Sequence, residues 1–379
     1  MEQLLEFIKQ HEHIIIFGYS EKGRILYQLI NNYSLANEIV FCDNDSAKQN
    51  LGGGFTVYSV EEATHRYRDG GYLIPSPFFS EEKHSQLSAL GISKDCIFDA
   101  PAEIILRIEG KKRFIPLTED EFRFEFCITK HCNLNCRSCD HFCPLVEQQE
   151  FMDFDVFSCD IQRLSELFHA KAEQILILGG EPLLSPDILK YMRLTRKCFP
   201  HANIYIVTNG ILLDKMEEDF WETCRNQNIG LRPTRYPIKV DYEALGRLAH
   251  NKGVDYHFFG STEISVRNMW HHPFDLSGQQ NIEDNFLLCY SGNRCITLEN
   301  GRLYTCPIPM TSRAFVAYFH KELKVEDADS IDIYKVNSSQ EILDKLAKPI
   351  PFCKYCDVKN RTYDHFWELS HKDIKEWTL

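Results

Sequence analysis

Nine of the fifteen cysteines fall into two groups: Cys132, Cys136, Cys139 and Cys143, and later Cys289, Cys295, Cys306, Cys353 and Cys356. An odd total cannot pair off completely, and disulfides are rare in a reducing cytosol, so clustered thiols read as metal ligands or reactive groups. The remaining six, Cys42, Cys96, Cys127, Cys159, Cys198 and Cys224, are scattered and read as small buried apolar residues. Cys132, Cys136 and Cys139 form CxxxCxxC. Three thiolates on one short loop can hold three corners of a 4Fe–4S cube, and the fourth iron is then left open. The alternative is structural zinc, which takes four ligands, and His131 or Cys143 could supply the fourth.

The elements that must position these thiols fall into three regions. Residues 1–112 read as a Rossmann-like open α/β sheet. An apolar strand His13 to Phe17 ends at Gly18, a helix buries Ile25, Leu26, Leu29 and Ile30, and a second strand runs from Glu38 to Phe41. Residues 118–280 alternate strand and helix, with strands expected at Phe124–Thr129, Gln174–Leu178, Asn203–Val207, Gly230–Arg232 and Val254–Phe259. The clearest helical stripe is Phe157, Ile161, Leu164 and Phe168, and another helix is expected to start at Ser185-Pro186. Such repetition suits a partial TIM-type (β/α)6 barrel with its chemistry at the strand ends. In residues 281–379 a β-hairpin over Ile296–Tyr304 turns on Asn300-Gly301, and cysteines bracket it. The class is α/β throughout. Gly179-Gly180-Glu181-Pro182 ends the second strand of the middle region and Thr208-Asn209 the third, on the same rim as the cysteine loop.

At this point the sequence resembles the radical S-adenosylmethionine (SAM) superfamily, through Cys132, Cys136 and Cys139 together with the GGEP segment. The resemblance implies that the cluster's open iron chelates SAM, whose amino group is held by Gly179, Gly180 and Glu181, with Pro182 completing the motif. Thr208 and Asn209 fit the family's third strand end, though both could equally be turn residues. One departure stands out: Ser138 occupies the place where the family usually has an aromatic residue near the adenine. The implied chemistry is reductive cleavage of SAM to a 5′-deoxyadenosyl radical that takes hydrogen from a C–H bond.

The later cysteines look like the SPASM/Twitch extension of that superfamily, in its shorter form. The resemblance implies that Cys289, Cys306, Cys353 and Cys356 close a second, auxiliary 4Fe–4S cluster. A four-cysteine zinc ribbon is the alternative. Cys295 is either a spare core residue or a substitute ligand. Over residues 120–379, including Phe274-Asp275-Leu276-Ser277-Gly278-Gln279, the pattern is similar to the aminocyclitol dehydrogenase branch. The implied substrate is a sugar, amino sugar, cyclitol or nucleotide-linked sugar, oxidised or epimerised. A peptide maturase is the second reading. An external reductant such as flavodoxin or ferredoxin would supply the electron.

Arg232, Arg235, Tyr236, His271, His272 and Asp275 lie where a proton acceptor could sit, and none is assigned. In the N-terminal region Ser20 stands where a dinucleotide fingerprint wants glycine, so a scaffold or a nucleotide site is expected ahead of a working NAD site. The net charge of −13 argues against nucleic-acid binding. No apolar run is long enough for a membrane helix and the N-terminus lacks a basic leader, so the expectation is a cytoplasmic enzyme of small molecules.

Overall fold

The computed structural model describes residues 2–32, 35–49, 55–75, 80–100, 110–259 and 268–378. The chain divides into two compact units, Met1–Lys112 and Arg113–Leu379.

In the first unit, β1 (His13–Phe17), β2 (Glu38–Cys42), β3 (Val57–Tyr58), β4 (Gly71–Ile74) and β5 (Ile97–Asp99) form one parallel sheet in the order β3-β2-β1-β4-β5. The unbroken apolar run of β1 follows from burial on both faces. Ile14 and Ile16 share a core with Leu4 and Phe7 of α1 (Glu2–Lys9) and with Leu26 and Ile30 of α2 (Glu21–Asn32). On the other face Ile15 and Phe17 pack with Val60 and Ala63 of α3 (Val60–Arg66) and Leu87 of α4 (Ser80–Ala89).

In the second unit, β6 (Arg123–Cys127), β7 (Gln174–Leu178), β8 (Asn203–Thr208) and β9 (Ile229–Pro233) lie side by side and parallel. A short ribbon forms apart from them, where β10 (Asn268–His271) pairs antiparallel with β14 (Thr362–Phe366). The hairpin β11 (Thr297–Glu299) and β12 (Arg302–Tyr304), followed by β13 (Ile331–Asp332), joins the free edge of β6. The order is β13-β12-β11-β6-β7-β8-β9.

The alternation in β6, RFEFC, separates two faces. Phe124 and Phe126 pack on Phe157, Ile161 and Leu164 of the helix Phe154–Leu167 and on Tyr191 and Met192 of the helix Ile188–Cys198, within the largest core. Cys127 lies on the opposite face beside Leu178, Tyr304 and Met310. The hairpin turns as expected on two left-handed residues, Asn300 (φ 48°) and Gly301 (φ 71°). It is pinned to the helix layer at Asp160, which accepts from Gly301 N (2.6 Å) and from the Tyr334 hydroxyl (2.8 Å).

Three expectations need adjustment. The helix placed at Ser185-Pro186 begins at Ile188, because Pro182–Leu184 first forms a 3-10 turn. The segment Val254–Phe259 follows β9 through single backbone bonds at Asp255, His257 and Phe259 but forms no regular strand. Cys159 is exposed rather than buried. The hairpin β11–β12 extends the sheet of β6 within the second compact unit. No helix among the described residues is long and apolar enough to cross a membrane.

Candidate metal and cofactor site

Because β6, β7 and β8 are parallel neighbours, the segments leaving their C-terminal ends meet at one edge. They are laced together by backbone. Gly180 N donates to Thr129 O (2.8 Å) and Glu181 N to His131 O (3.0 Å), joining the segment after β7 to the loop that carries Cys132. The two glycines are needed for this contact. A Cβ on Gly179 would lie 2.3 Å from Thr129 O, and one on Gly180 only 1.9 Å from His131 O. Gly179 also sits at φ 148°. The steric demand visible here thus comes from the neighbouring cysteine loop, on the segment that the resemblance assigns to the SAM amino group.

Glu181 is fully buried and its carboxylate accepts three bonds: from Leu183 N (3.1 Å), the Thr208 hydroxyl (2.7 Å) and Asn209 N (2.8 Å). It therefore ties the end of β7 to the end of β8. Burial pushes its pKa up to about 7 against the pull of these donors. Asn209 continues the chain of contacts. Its amide donates to Asn133 Oδ1 (2.7 Å) and reaches the Cys132 sulfur at 3.7 Å. The expected set of Cys132, Gly180, Glu181, Thr208 and Asn209 is thus one connected network, while Pro182 opens the 3-10 turn behind it.

The loop thiols are mostly shielded. Desolvation pushes Cys132 and Cys136 up to about 12. Cys139 is drawn down to about 7, chiefly because the Cys143 thiol bonds to it. Besides the Asn209 amide, two N–H groups point at these sulfurs: Leu134 N lies 3.4 Å from Cys132 Sγ, and Trp367 Nε1 lies 3.1 Å from Cys136 Sγ. N–H donors aimed at sulfur suit thiolates that carry charge as cluster ligands. The His131 ring is fixed by Thr129 Oγ1 at 2.8 Å, and its Nε2 is buried without a bonded partner.

The second cysteine group converges. Cys289, Cys306, Cys353 and Cys356 line one cavity whose other walls include Phe286, Ile308, Ile350, Phe352 and His272. Cys289 ends the helix Ile282–Leu288, and Cys306 follows β12. Asn285 Nδ2 holds the CxxC turn through the carbonyls of Cys353 (2.7 Å) and Cys356. Four sulfurs around one largely apolar space fit a cluster held at every corner. Cys295 is not among the lining residues; it is half-buried nearby, and desolvation raises its thiol well above the usual range. Among the described residues no three His, Cys, Asp or Glu side chains converge closely enough to hold a single metal ion.

The remaining candidates disperse. Arg232 stacks on Tyr205 (3.9 Å), Arg235 pairs with Glu243, and Asp275 caps a turn through Ser277 and Gln280. His271 ends β10. His272 borders the four-cysteine cavity with Arg361 Nη2 at 3.2 Å. In the first unit, the Asp43 carboxylate at the end of β2 is taken up by Tyr19 N (2.7 Å), Asp45 N (2.9 Å) and Lys48 (3.4 Å).

Sequence reasoning missed the C-terminal segment entirely. Trp377 Nε1 donates to Cys139 O (2.9 Å), Ser138 Oγ to Glu376 O (2.8 Å), Arg137 N to Glu368 O (2.9 Å) and Ser370 N to Asn135 O (2.9 Å). The one available signal was that two of the four tryptophans fall within the last thirteen residues.

It also missed Glu125, a buried carboxyl on β6 bonded by the Thr297 hydroxyl at 3.2 Å. Burial raises it to about 7, Asp140 adds to the rise, and His141 and Thr297 oppose it. The folded chain therefore keeps a proton that the unfolded chain loses near pH 4–5, so stability falls as pH rises to about 7 and is level above. Glu125→Gln should remove this contribution, gaining on the order of 3 kcal/mol over wild type at pH 8 and little at pH 5. Denaturation at the two pH values checks it. A uniform gain would show that the charge is irrelevant.

No protein-family model matches the chain. It is 27% identical over 151 residues to Molybdenum cofactor biosynthesis protein 1 of Dictyostelium discoideum, covering 38% of this chain and 22% of that one. It is 32% identical over 127 residues to a Probable GTP 3′,8-cyclase of Methanococcus vannielii, covering 31% of this chain and 41% of that one. The chain thus spans less than half the length of these curated relatives. Among solved structures, it is similar to BtrN in complex with AdoMet and 2-DOIA (TM-score 0.40, 17% identity, 62% of this chain and 93% of that one). It is also similar to anSMEcpe with bound AdoMet (TM-score 0.30, 17% identity, 36% and 43%).

Proposed function

We propose that this protein is a radical SAM enzyme with one SAM-binding 4Fe–4S cluster on Cys132, Cys136 and Cys139 and one auxiliary cluster on Cys289, Cys306, Cys353 and Cys356. The observation that carries this reading is the network at the β6–β8 strand ends, where a three-cysteine loop is laced to Gly179–Glu181 and to Thr208-Asn209. The partial match to a Probable GTP 3′,8-cyclase adds support. When bound, the cluster and SAM supply reductive cleavage and hydrogen abstraction.

The chain's own residues have plainer tasks. Glu181 and Asn209 hold the strand ends in register with the Cys132 loop. Gly179 and Gly180 keep the backbones close enough for that lacing. The apolar wall of the four-cysteine cavity excludes water from the second site. The substrate class that fits the sequence resemblance is a sugar, amino sugar or cyclitol, oxidised or epimerised.

Reducing the reconstituted protein with SAM and a panel of nucleotide sugars, aminocyclitols and peptides tests the reading. The expected result is 5′-deoxyadenosine that rises with one carbohydrate-like compound. A product lighter by two hydrogens identifies dehydrogenation, and an unchanged mass with one inverted centre identifies epimerisation. Turnover confined to a peptide would transfer the enzyme to the maturases, and no 5′-deoxyadenosine at all would remove the radical chemistry.

A further inference from the structure

We infer that the C-terminal segment 367–378 is a wall of the proposed SAM-cluster site, and that Trp367 sets that cluster's reduction potential by hydrogen bonding the Cys136 sulfur. The inference rests on the reading of Cys132, Cys136 and Cys139 as cluster ligands.

Trp367 lies 231 residues from Cys136 in sequence, yet its indole Nε1 is 3.1 Å from that sulfur. The Tyr236 ring stands beside that of Trp367, centroids 6.0 Å apart at 54°, and its hydroxyl is a second donor that favours the charged form of the Cys136 sulfur. One thiol thus receives an N–H from the chain's end and an O–H from the segment after β9. The approach of Trp367 is guided on both sides. Glu368 pairs with Arg137 through backbone and side chain, and Cys136 and Leu369 form an antiparallel bridge. Farther on, the Ser138 hydroxyl donates to Glu376 O and Trp377 Nε1 donates to Cys139 O, with Trp377 only 2% exposed and beside Phe142. Ser138, the position where the resemblance leads one to expect an aromatic ring, is thus used to anchor the tail that brings an aromatic ring in.

Packing alone would not require the indole N–H to face sulfur. Hydrogen bonds to cluster sulfurs are one of the levers on reduction potential. Reduction adds negative charge that is shared by the ligating sulfurs, so a donor there stabilises the reduced cluster more than the oxidised one. Both donors should make the potential less negative and ease entry of the electron.

The test is a redox titration of full-length reconstituted protein, followed by electron paramagnetic resonance. The SAM-binding cluster is the one whose signal changes on adding SAM, and the other cluster serves as an internal reference. Trp367→Phe keeps the ring and removes the N–H; Tyr236→Phe removes the O–H. Each should shift the SAM-sensitive cluster to more negative potential, the double variant further still, with the other cluster unmoved. Wild-type potentials in both single variants would overturn the inference. If Trp367→Phe fails to hold iron, Tyr236→Phe decides alone. Absence of any SAM-sensitive signal in the wild type would instead overturn the cluster assignment, and this inference with it.

Discussion

Replacing Cys132, Cys136 and Cys139 together by alanine is expected to halve the iron, from about eight to about four atoms per chain after anaerobic reconstitution. Formation of 5′-deoxyadenosine should fall to background. The two cysteine groups are held by different parts of the unit, so loss should be confined to one. The first loop hangs between the ends of β6, β7 and β8, whereas the second group lines a cavity built by the helix Ile282–Leu288, the hairpin and the CxxC turn. The fold should survive, because the core behind the strands is made by Phe124, Phe126, Phe157 and Ile161, and none of the loop thiols belongs to it. The complementary replacement of Cys289, Cys306, Cys353 and Cys356 should remove the other half. Iron analysis and circular dichroism on both variants are the measurements. Near-stoichiometric zinc with little iron in the wild type would defeat both assignments.

Gly180→Ala should be nearly as damaging through one methyl group. The added Cβ would sit 1.9 Å from His131 O and 2.3 Å from His131 C, and both are backbone atoms that no rotamer change can move aside. Relief requires the segment after β7 to withdraw from the cysteine loop. That withdrawal breaks Gly180 N to Thr129 O and Glu181 N to His131 O and pulls on the buried Glu181 carboxylate. A cost of about 3 kcal/mol is expected from overpacking of this kind. The variant should lose iron from the first loop, retain the second cluster, and show a lowered Tm. Gly210→Ala is a useful contrast. Its Cβ would meet only side-chain atoms of Tyr242 and Leu245 at 3.2–3.3 Å, though φ +83° adds backbone strain. That variant should lose stability but keep iron on the first loop, since no cysteine-loop backbone is displaced.

Local chemistry made much of this legible. The strand positions of β1, β2, β6, β7, β8 and the hairpin were readable because apolar runs ended at glycine or at polar turn residues. The Asn300-Gly301 turn declared itself, since both residues tolerate positive φ. The four thiols of the second group could be grouped in advance because CxxC and a hairpin flanked by cysteines are short-range patterns, and all four line one cavity. What escaped were contacts with no local signature. Nothing around Glu125 announces that Thr297 will cross to it from an added strand. Nothing in the spacing of Trp367 and Trp377 says that they return to Cys136 and Cys139. The resemblance singled out Gly180, but only the structure shows that the His131 backbone leaves no room there for a Cβ. Val254–Phe259 looked like a strand by composition, and only its pairing, three isolated backbone bonds to β9, withholds that status.

The hairpin's attachment to β6 has a consequence for electron movement. Thr297 is in register with Glu125, so the strand that feeds the first cysteine loop and the hairpin that leads into Cys306 belong to one continuous sheet. If both proposed clusters are bound, the parts of the chain that carry them are fixed to one sheet, so the distance between them does not depend on a hinge. Charge could then pass between them without waiting for any part of the chain to swing.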